Sequence, residues 1–271
     1  SAAADYFGIE TVTLLEVAIP PNRADATSHI GVARDLVAAI NNREKQHDRV
    51  SLVIPSVDAF KVDNTSLTIP VSIENPEACA RYTAITLSGI QVKESPEWLC
   101  NRLKAVGLRP INNIVDITNY VLMETGHPLH AFDAGYVTGK QVVVKKMPAG
   151  TKFVTLDEVE RSLGADDLMI CNAAEPMCIA GVFGGAKSGV SENTTSVFLE
   201  SAYFDGTHVR KTSKLHNLKT DASFRFERGA DPNMTVYALK RAALLMKELA
   251  GGVISSEIID EYPAPVPNRE V

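Results

Sequence analysis

Four short apolar runs with strand-like composition follow one another at 141–145, 168–171, 177–182 and 196–201, with no helical stripe between them. A doubly wound parallel sheet needs a helix in each crossover, so this stretch argues against one. Earlier β-rich runs stand at 11–19, 51–54, 66–71 and 82–90, and a last one at 252–259. The expected class is α+β: mixed, largely antiparallel sheets with packed helices, plus a short N-terminal α/β segment.

Caps mark three helices. Thr27 or Ser28 opens one whose apolar residues Ala33, Leu36, Val37 and Ile40 stand at i, i+3, i+4 and i+7, and it ends near Asn41-Asn42. Ser95-Pro96-Glu97 supplies a cap, a first-turn proline and a first-turn acid for a second, with the stripe Leu99, Leu103 and Val106 and a stop at Gly107. Asp231-Pro232 opens the last, which runs to Gly251 with Ala238, Ala242, Leu245 and Leu249 on its buried face. The polar stretch 43–49 separates a small domain fragment over 1–48 from a larger domain over 49–260, followed by a tail over 261–271.

With 271 residues, 45% of them hydrophobic, the chain is long enough to bury a core without disulfide staples. The apolar run 179–186 falls far short of the roughly 20 residues a bilayer requires, so no membrane span is expected. A net charge of −6 argues against a free-standing protein that coats DNA or RNA. It still permits a domain that meets one end of a nucleic acid delivered by another part. Cys79, Cys100, Cys171 and Cys178 form no C-x-x-C pair, so free, buried thiols of a cytosolic protein are expected and a zinc site is not. No signal peptide is read. The Ser1-Ala2-Ala3-Ala4 start and the proline-rich 263–267 suggest a piece excised from a longer polypeptide.

The candidate chemistry is sparse. The run Gly181-Val182-Phe183-Gly184-Gly185-Ala186-Lys187-Ser188 approaches a phosphate-binding loop, but Ala186 stands where glycine must precede Lys-Ser. Its glycines read better as sites of close backbone approach. Pro128 argues against a helix carrying His127 and His130 together. A lone histidine is more often structural than catalytic, although its pKa suits proton transfer. By spacing alone, Glu200 reads as a strand-end charge facing water. Arg210, Lys211, Lys214, Lys219, Arg225 and Arg228, interleaved with Phe224 and Phe226, make a local positive patch that can hold phosphates and stack bases, or merely form a solvated face. There is no G-x-S-x-G nucleophile elbow.

Several strings are familiar in this order: Pro21-Asn22-Arg23-Ala24-Asp25, Gly31-Val32-Ala33-Arg34-Asp35, Arg109 ahead of 112–120 (NNIVDITNY), His130-Ala131-Phe132-Asp133, Ala180 to Gly185, Glu200-Ser201-Ala202-Tyr203-Phe204, Arg210-Lys211-Thr212-Ser213, and 220–229 (TDASFRFERG). Together they resemble the beta-subunit family of bacterial phenylalanyl-tRNA synthetases over essentially the whole chain. The resemblance implies that 1–48 is the end of the first beta-subunit module, 49–260 the tRNA editing domain and 261–271 a linker to the next module. The family's OB-fold tRNA-binding module lies outside this stretch.

The resemblance further implies an aminoacyl-tRNA ester hydrolase that clears Tyr-tRNA(Phe). A synthetic pocket for phenylalanine rejects one added hydroxyl by only about 10²-fold, so a second site that pairs that hydroxyl is physically sensible. Glu200 matches the position of that partner, which raises it above the strand-end reading. His130 matches a pocket histidine near the scissile ester, and Thr220 and Ala222 match residues lining the aminoacyl site. Arg109 matches an arginine near the terminal adenosine or the substrate. Gly184 matches a glycine that keeps the pocket open, and Asn113 a water or ester contact. The catalytic set expected is thus His130, Glu200 and Thr220, with Arg109, Asn113, Gly184 and Ala222 binding substrate and no metal. His127, Asp221 and Phe183 depart from the family pattern, and Phe183 bears on pocket depth. No cofactor is expected in this chain; ATP and Mg belong to aminoacylation by the parent enzyme. The expected partners are the acceptor end of tRNA(Phe) and an alpha subunit in an alpha2-beta2 heterotetramer, in the cytoplasm, with no DNA and no membrane. A chain without the OB module should bind tRNA weakly, because its phosphate contacts are few. The rival expectation is a non-catalytic module that positions tRNA or assembles the subunits.

Overall fold

A computed structural model describes residues 13–43 and 48–267. Two five-stranded sheets form its body. The first runs in the order β1 (Val71–Ile73), β4 (Val142–Lys146), β7 (Leu168–Cys171), β8 (Pro176–Ile179), β9 (Phe183–Gly184). Only its β1–β4 pair is parallel. The second is antiparallel throughout and runs β11 (Val253–Ile254), β2 (Cys79–Ser88), β10 (Ser196–Phe204), β3 (His130–Asp133), with β12 (Ile259–Glu261) also on β2. A small hairpin, β5 (Lys152–Val154) and β6 (Glu160–Ser162), stands apart. The α+β expectation holds.

The strand period explains the layering. On β10, Val197 and Leu199 pack into an apolar cluster with residues of α2 (Glu97–Ala105), α3 (Asn113–Thr125) and α6 (Met234–Ala250). Phe198, Ala202 and Phe204 point the other way, into the core shared with the first sheet. On β2, Ile85 and Leu87 meet the helices, while Tyr82 and Ala84 face that shared core. Glu200 belongs by register to the row Phe198–Ala202–Phe204, a carboxyl in a line of apolar side chains.

Several local expectations change. The run 11–19 is not a strand in its described part: 13–19 carries no regular structure, and Leu14, Leu15 and Val17 are exposed. β-rich composition makes no strand without a neighbour to pair with. Residues 51–54 are likewise irregular, and 66–71 contributes only the first residue of β1. The 252–259 run splits into β11 and β12. The 43–49 stretch lies partly outside the described residues.

Three helices escape the periodicity reading: α3, α4 (Gly206–His216) and α5 (Asp221–Phe226). Their caps were legible. The Asn112 side chain accepts from the Ile114 and Val115 amides and Gly126 closes α3 at φ 79°, while Asp205 accepts from the Thr207 and His208 amides of α4. The interior of α3 buries Asn113, Asp116 and Thr118 beside Ile114, Ile117 and Val121, which blurs its apolar stripe. At the N-terminus, Ser28 caps α1 (His29–Asn41), and Arg23 clamps Asp25 and Asp35. The His29 ring meets the Met123 carbonyl at 2.8 Å, joining α1 to α3.

Candidate functional site

A cavity of about 280 Å³ opens between edge strand β9 of the first sheet and strands β10 and β3 of the second, closed at one side by the start of α5. His130, Gly184, Glu200, Thr220 and Ala222 all line it. The sequence therefore scattered over some ninety positions what the two sheets bring to one hollow.

Glu200 is 5% exposed. It pairs across the ladder with Ala84 on one side and His130 on the other. Tyr82, diagonal to it on β2, donates its hydroxyl to Glu200 Oε2 at 2.7 Å. Burial raises the carboxyl to about 8, and the Tyr82 hydrogen bond only partly opposes this. At neutral pH Glu200 is mainly a neutral acid. One oxygen is held by Tyr82, leaving Oε1 to meet a ligand hydroxyl as donor or acceptor. Glu200 thus does not face water as spacing alone suggested. The strand continues to Phe204, which makes it an interior residue.

His130 is half-buried and packs edge-on against Phe132, with ring centroids 4.4 Å apart. Burial lowers its imidazole to about 4, so at neutral pH it is neutral and can offer a hydrogen bond rather than a charge. Thr220 caps α5 in a reciprocal box with Ser223 and donates its hydroxyl proton to the Val182 carbonyl at 2.9 Å. Its single proton is thus committed to the fold, which suits a wall contact better than proton transfer. No strong base stands in this cavity. The uncharged set of Glu200, His130 and Thr220 suits an uncharged, polar-tipped side chain and a water oriented by hydrogen bonds.

Gly184 keeps the hollow open. A Cβ there would stand 2.8 Å from Leu156 Cδ1 and 3.1 Å from His130 Cε1, both on the cavity wall. Phe183 also lines the cavity without filling it. The glycine-rich run is a turn and a short strand: β9 lies inside it, and the Ser188 hydroxyl donates to the Met177 carbonyl. The residues after Ser188 form no helix, so phosphate cradling has no geometric support.

Two expected contacts lie elsewhere. Asn113 is fully buried. Its Oδ1 accepts from the Lys93 amide at 3.1 Å, and its Nδ2 donates to the Gln91 and Leu249 carbonyls at 3.0 and 3.4 Å. It splices three chain segments and does not line the cavity. Asn113→Ala is expected to cost about 2 kcal/mol of stability by stranding buried backbone groups, measured by denaturant unfolding, with ligand binding in the cavity at low temperature unchanged. Undiminished stability with lost ligand binding would restore it as a ligand contact. Arg109 is exposed, ahead of the α3 cap, and also lies off the cavity wall.

Tyr82, Asn119 and Leu156 are not among the expected site residues; Asn119 and Leu156 line the cavity, and Tyr82 holds Glu200. Tyr82 had a usable signal, being an aromatic at an inward position of a predicted strand. Leu156 had none, since it lies in the β5–β6 turn. Among the described residues no three His, Cys, Asp or Glu side chains gather as for a metal. The four cysteines are free, and no described helix is long and apolar enough to cross a membrane.

A family model described as the B3/4 domain matches residues 78–251. The chain is 61% identical over 263 residues to the phenylalanine--tRNA ligase beta subunit of Bacteroides fragilis, covering 97% of this chain and 32% of that protein. It is 52% identical over 265 residues to the namesake subunit of Porphyromonas gingivalis, again 97% of this chain and 32% of the relative. The chain thus spans about a third of the length of these relatives. An N-terminal fragment of the phenylalanyl-tRNA synthetase beta subunit from Pyrococcus horikoshii superposes with a TM-score of 0.47 at 14% identity, over 89% of this chain and 64% of that one.

Proposed function

The chain belongs to the B3/4 domain family, and from that premise we propose that its cavity is the editing site of a phenylalanine--tRNA ligase beta subunit, hydrolysing the ester of Tyr-tRNA(Phe). The observation that carries this reading is a buried Glu200 carboxyl, held by Tyr82 and raised by burial to about 8, in a largely apolar cavity that also presents His130, Asn119 and Thr220 and has Asp221, paired with Arg225, on its wall. A tyrosine side chain fills the apolar part and pairs its hydroxyl with Glu200. A phenylalanine side chain strands the carboxyl, at about 1–3 kcal/mol.

The chain's own residues then hold rather than ionise. Glu200 sorts the side chain. Neutral His130 and the cavity's backbone groups orient the ester and a water, and Gly184 leaves the room they need. Attack by that water on the ester carbonyl releases tyrosine and the free 3′ end of the tRNA. The parent ligase supplies the rest of the reading: an alpha subunit in an alpha2-beta2 assembly, with ATP and Mg used at a separate aminoacylation site, in the cytoplasm.

The test is deacylation of purified Tyr-tRNA(Phe) beside Phe-tRNA(Phe) by ligase assembled with the beta subunit that carries this chain. The expected result is rapid loss of the tyrosyl ester and near-background loss of the phenylalanyl ester. If neither is cleared above background, the hydrolytic reading fails and a tRNA-positioning module takes its place.

A further inference from the structure

We propose that the basic groove beside the cavity is a track for the single-stranded 3′ end of an RNA, gripping its phosphates and stacking one of its bases. The groove, of about 670 Å³, runs between α4 and α5 and is lined by Arg210, Lys214, Lys219, Arg228, Phe224 and Thr220. Thr220 also lines the Glu200 cavity, so the groove reaches the cavity's edge. Arg210 and Lys214 stand one helical turn apart on α4 and are exposed, as is Lys219.

Of the groove's four cations only Arg228 is compensated, by Glu227, which also lines the groove. The ion pairs of this region are Arg225–Asp221 and Arg228–Glu227, while His208 and His216 are hydrogen-bonded to Asp205 and Asp167. Among the described residues Arg210, Lys214 and Lys219 enter none, although the chain as a whole carries a net charge of −6. A contrasting cavity beside β5 also has two lysines, but Lys152 pairs with Glu160 and Lys187 with Glu175.

One further feature selects a nucleic acid over other polyanions. Phe224 is 42% exposed, and the Arg228 guanidinium lies 3.6 Å from its ring centroid. A guanidinium stacked on an exposed ring, next to free cations, is a platform for a base whose backbone runs along those cations. The track rests on the editing reading in one respect: an ester held in the cavity has its polynucleotide leaving at the cavity mouth.

The experiment uses the assembled ligase with Arg210→Ala/Lys214→Ala and, separately, Phe224→Ala. Two quantities are read: the KM and kcat of Tyr-tRNA(Phe) deacylation, and the affinity of a short single-stranded RNA for the isolated 271-residue chain across a salt series. Each lost cation is expected to lower the log–log salt slope by about 0.7–1. The double variant should raise KM about tenfold at low salt with kcat unchanged, and Phe224→Ala should weaken RNA binding about tenfold. Unchanged slope and KM in the double variant overturn the track while leaving the editing reading intact. Wild-type enzyme that hydrolyses nothing, yet binds RNA with the expected loss of slope in the variants, sinks the editing reading and keeps the track. An acidic peptide that binds as tightly as RNA, with the same dependence on these residues, overturns the track in favour of a protein partner.

Discussion

Glu200→Ala is expected to erase most of the preference for tyrosyl over phenylalanyl ester, a drop of about 10- to 100-fold in the ratio of their kcat/KM values. Its origin lies mainly in the phenylalanyl ester, which no longer strands a buried carboxyl when it binds. The preference is also expected to depend on pH in a defined direction. Glu200 titrates at about 8 in the fold, against an ordinary 4.5. Below 8 the bound phenylalanine leaves a neutral acid unpaired; above 8 it leaves a buried carboxylate unpaired, which costs more. Selectivity should therefore rise from pH 7 to pH 9 in the wild type and stay flat in Glu200→Gln.

Stability moves the other way. A carboxyl whose folded pKa lies above its unfolded value contributes fully below about 4.5, and that contribution is lost as pH climbs through 8. The wild type should thus lose stability over that window relative to Glu200→Gln, as read in paired denaturant titrations. A Glu200→Ala enzyme that still clears Tyr-tRNA(Phe) with undiminished preference would sink the sorting role of this residue.

Gly184→Val is expected to lower hydrolysis of Tyr-tRNA(Phe) by about 100-fold or more, because misplacing a substrate by an ångström has that order of effect. The new side chain grows from a Cβ that stands 2.8 Å from Leu156 and 3.1 Å from His130. Leu156 is half-exposed and can yield, but His130 is packed against Phe132 and belongs to the wall that must stay in place. The fold should survive, since Gly184 sits on an edge strand where a β-branched residue is tolerated. Aminoacylation and the melting temperature serve as controls. Retention of the wild-type deacylation rate by the valine variant would show that the ester is held elsewhere.

What the sequence made legible was a set of residues that share one hollow, and what it hid was the physics of that hollow. His130, Gly184, Glu200, Thr220 and Ala222 could be named from motifs and do share a cavity. Nothing in the linear string showed that Glu200 is neutral, because that follows from Tyr82 on another strand and from the apolar row around it. Thr220 matched a site motif, yet its hydroxyl is spent on a helix cap and the Val182 carbonyl. Asn113 matched one too, and became a splice between Lys93, Gln91 and Leu249.

By itself the sequence determined the α+β class, the strands at β4, β7 and β10, and the capped helices α1, α2 and α6. Those features rest on local chemistry: period-two apolar patterning, side-chain caps and glycine stops act within a few residues of one another. Only the tertiary structure decided that the β-rich run 11–19 has no regular structure in its described part, that β10 extends through Glu200 to Phe204, and that β9 closes a hollow against β3 and β10. A strand needs a partner for its backbone groups, and a carboxyl's proton affinity is set by what surrounds it. Both are properties of residues distant in the chain, so no window of sequence contains them.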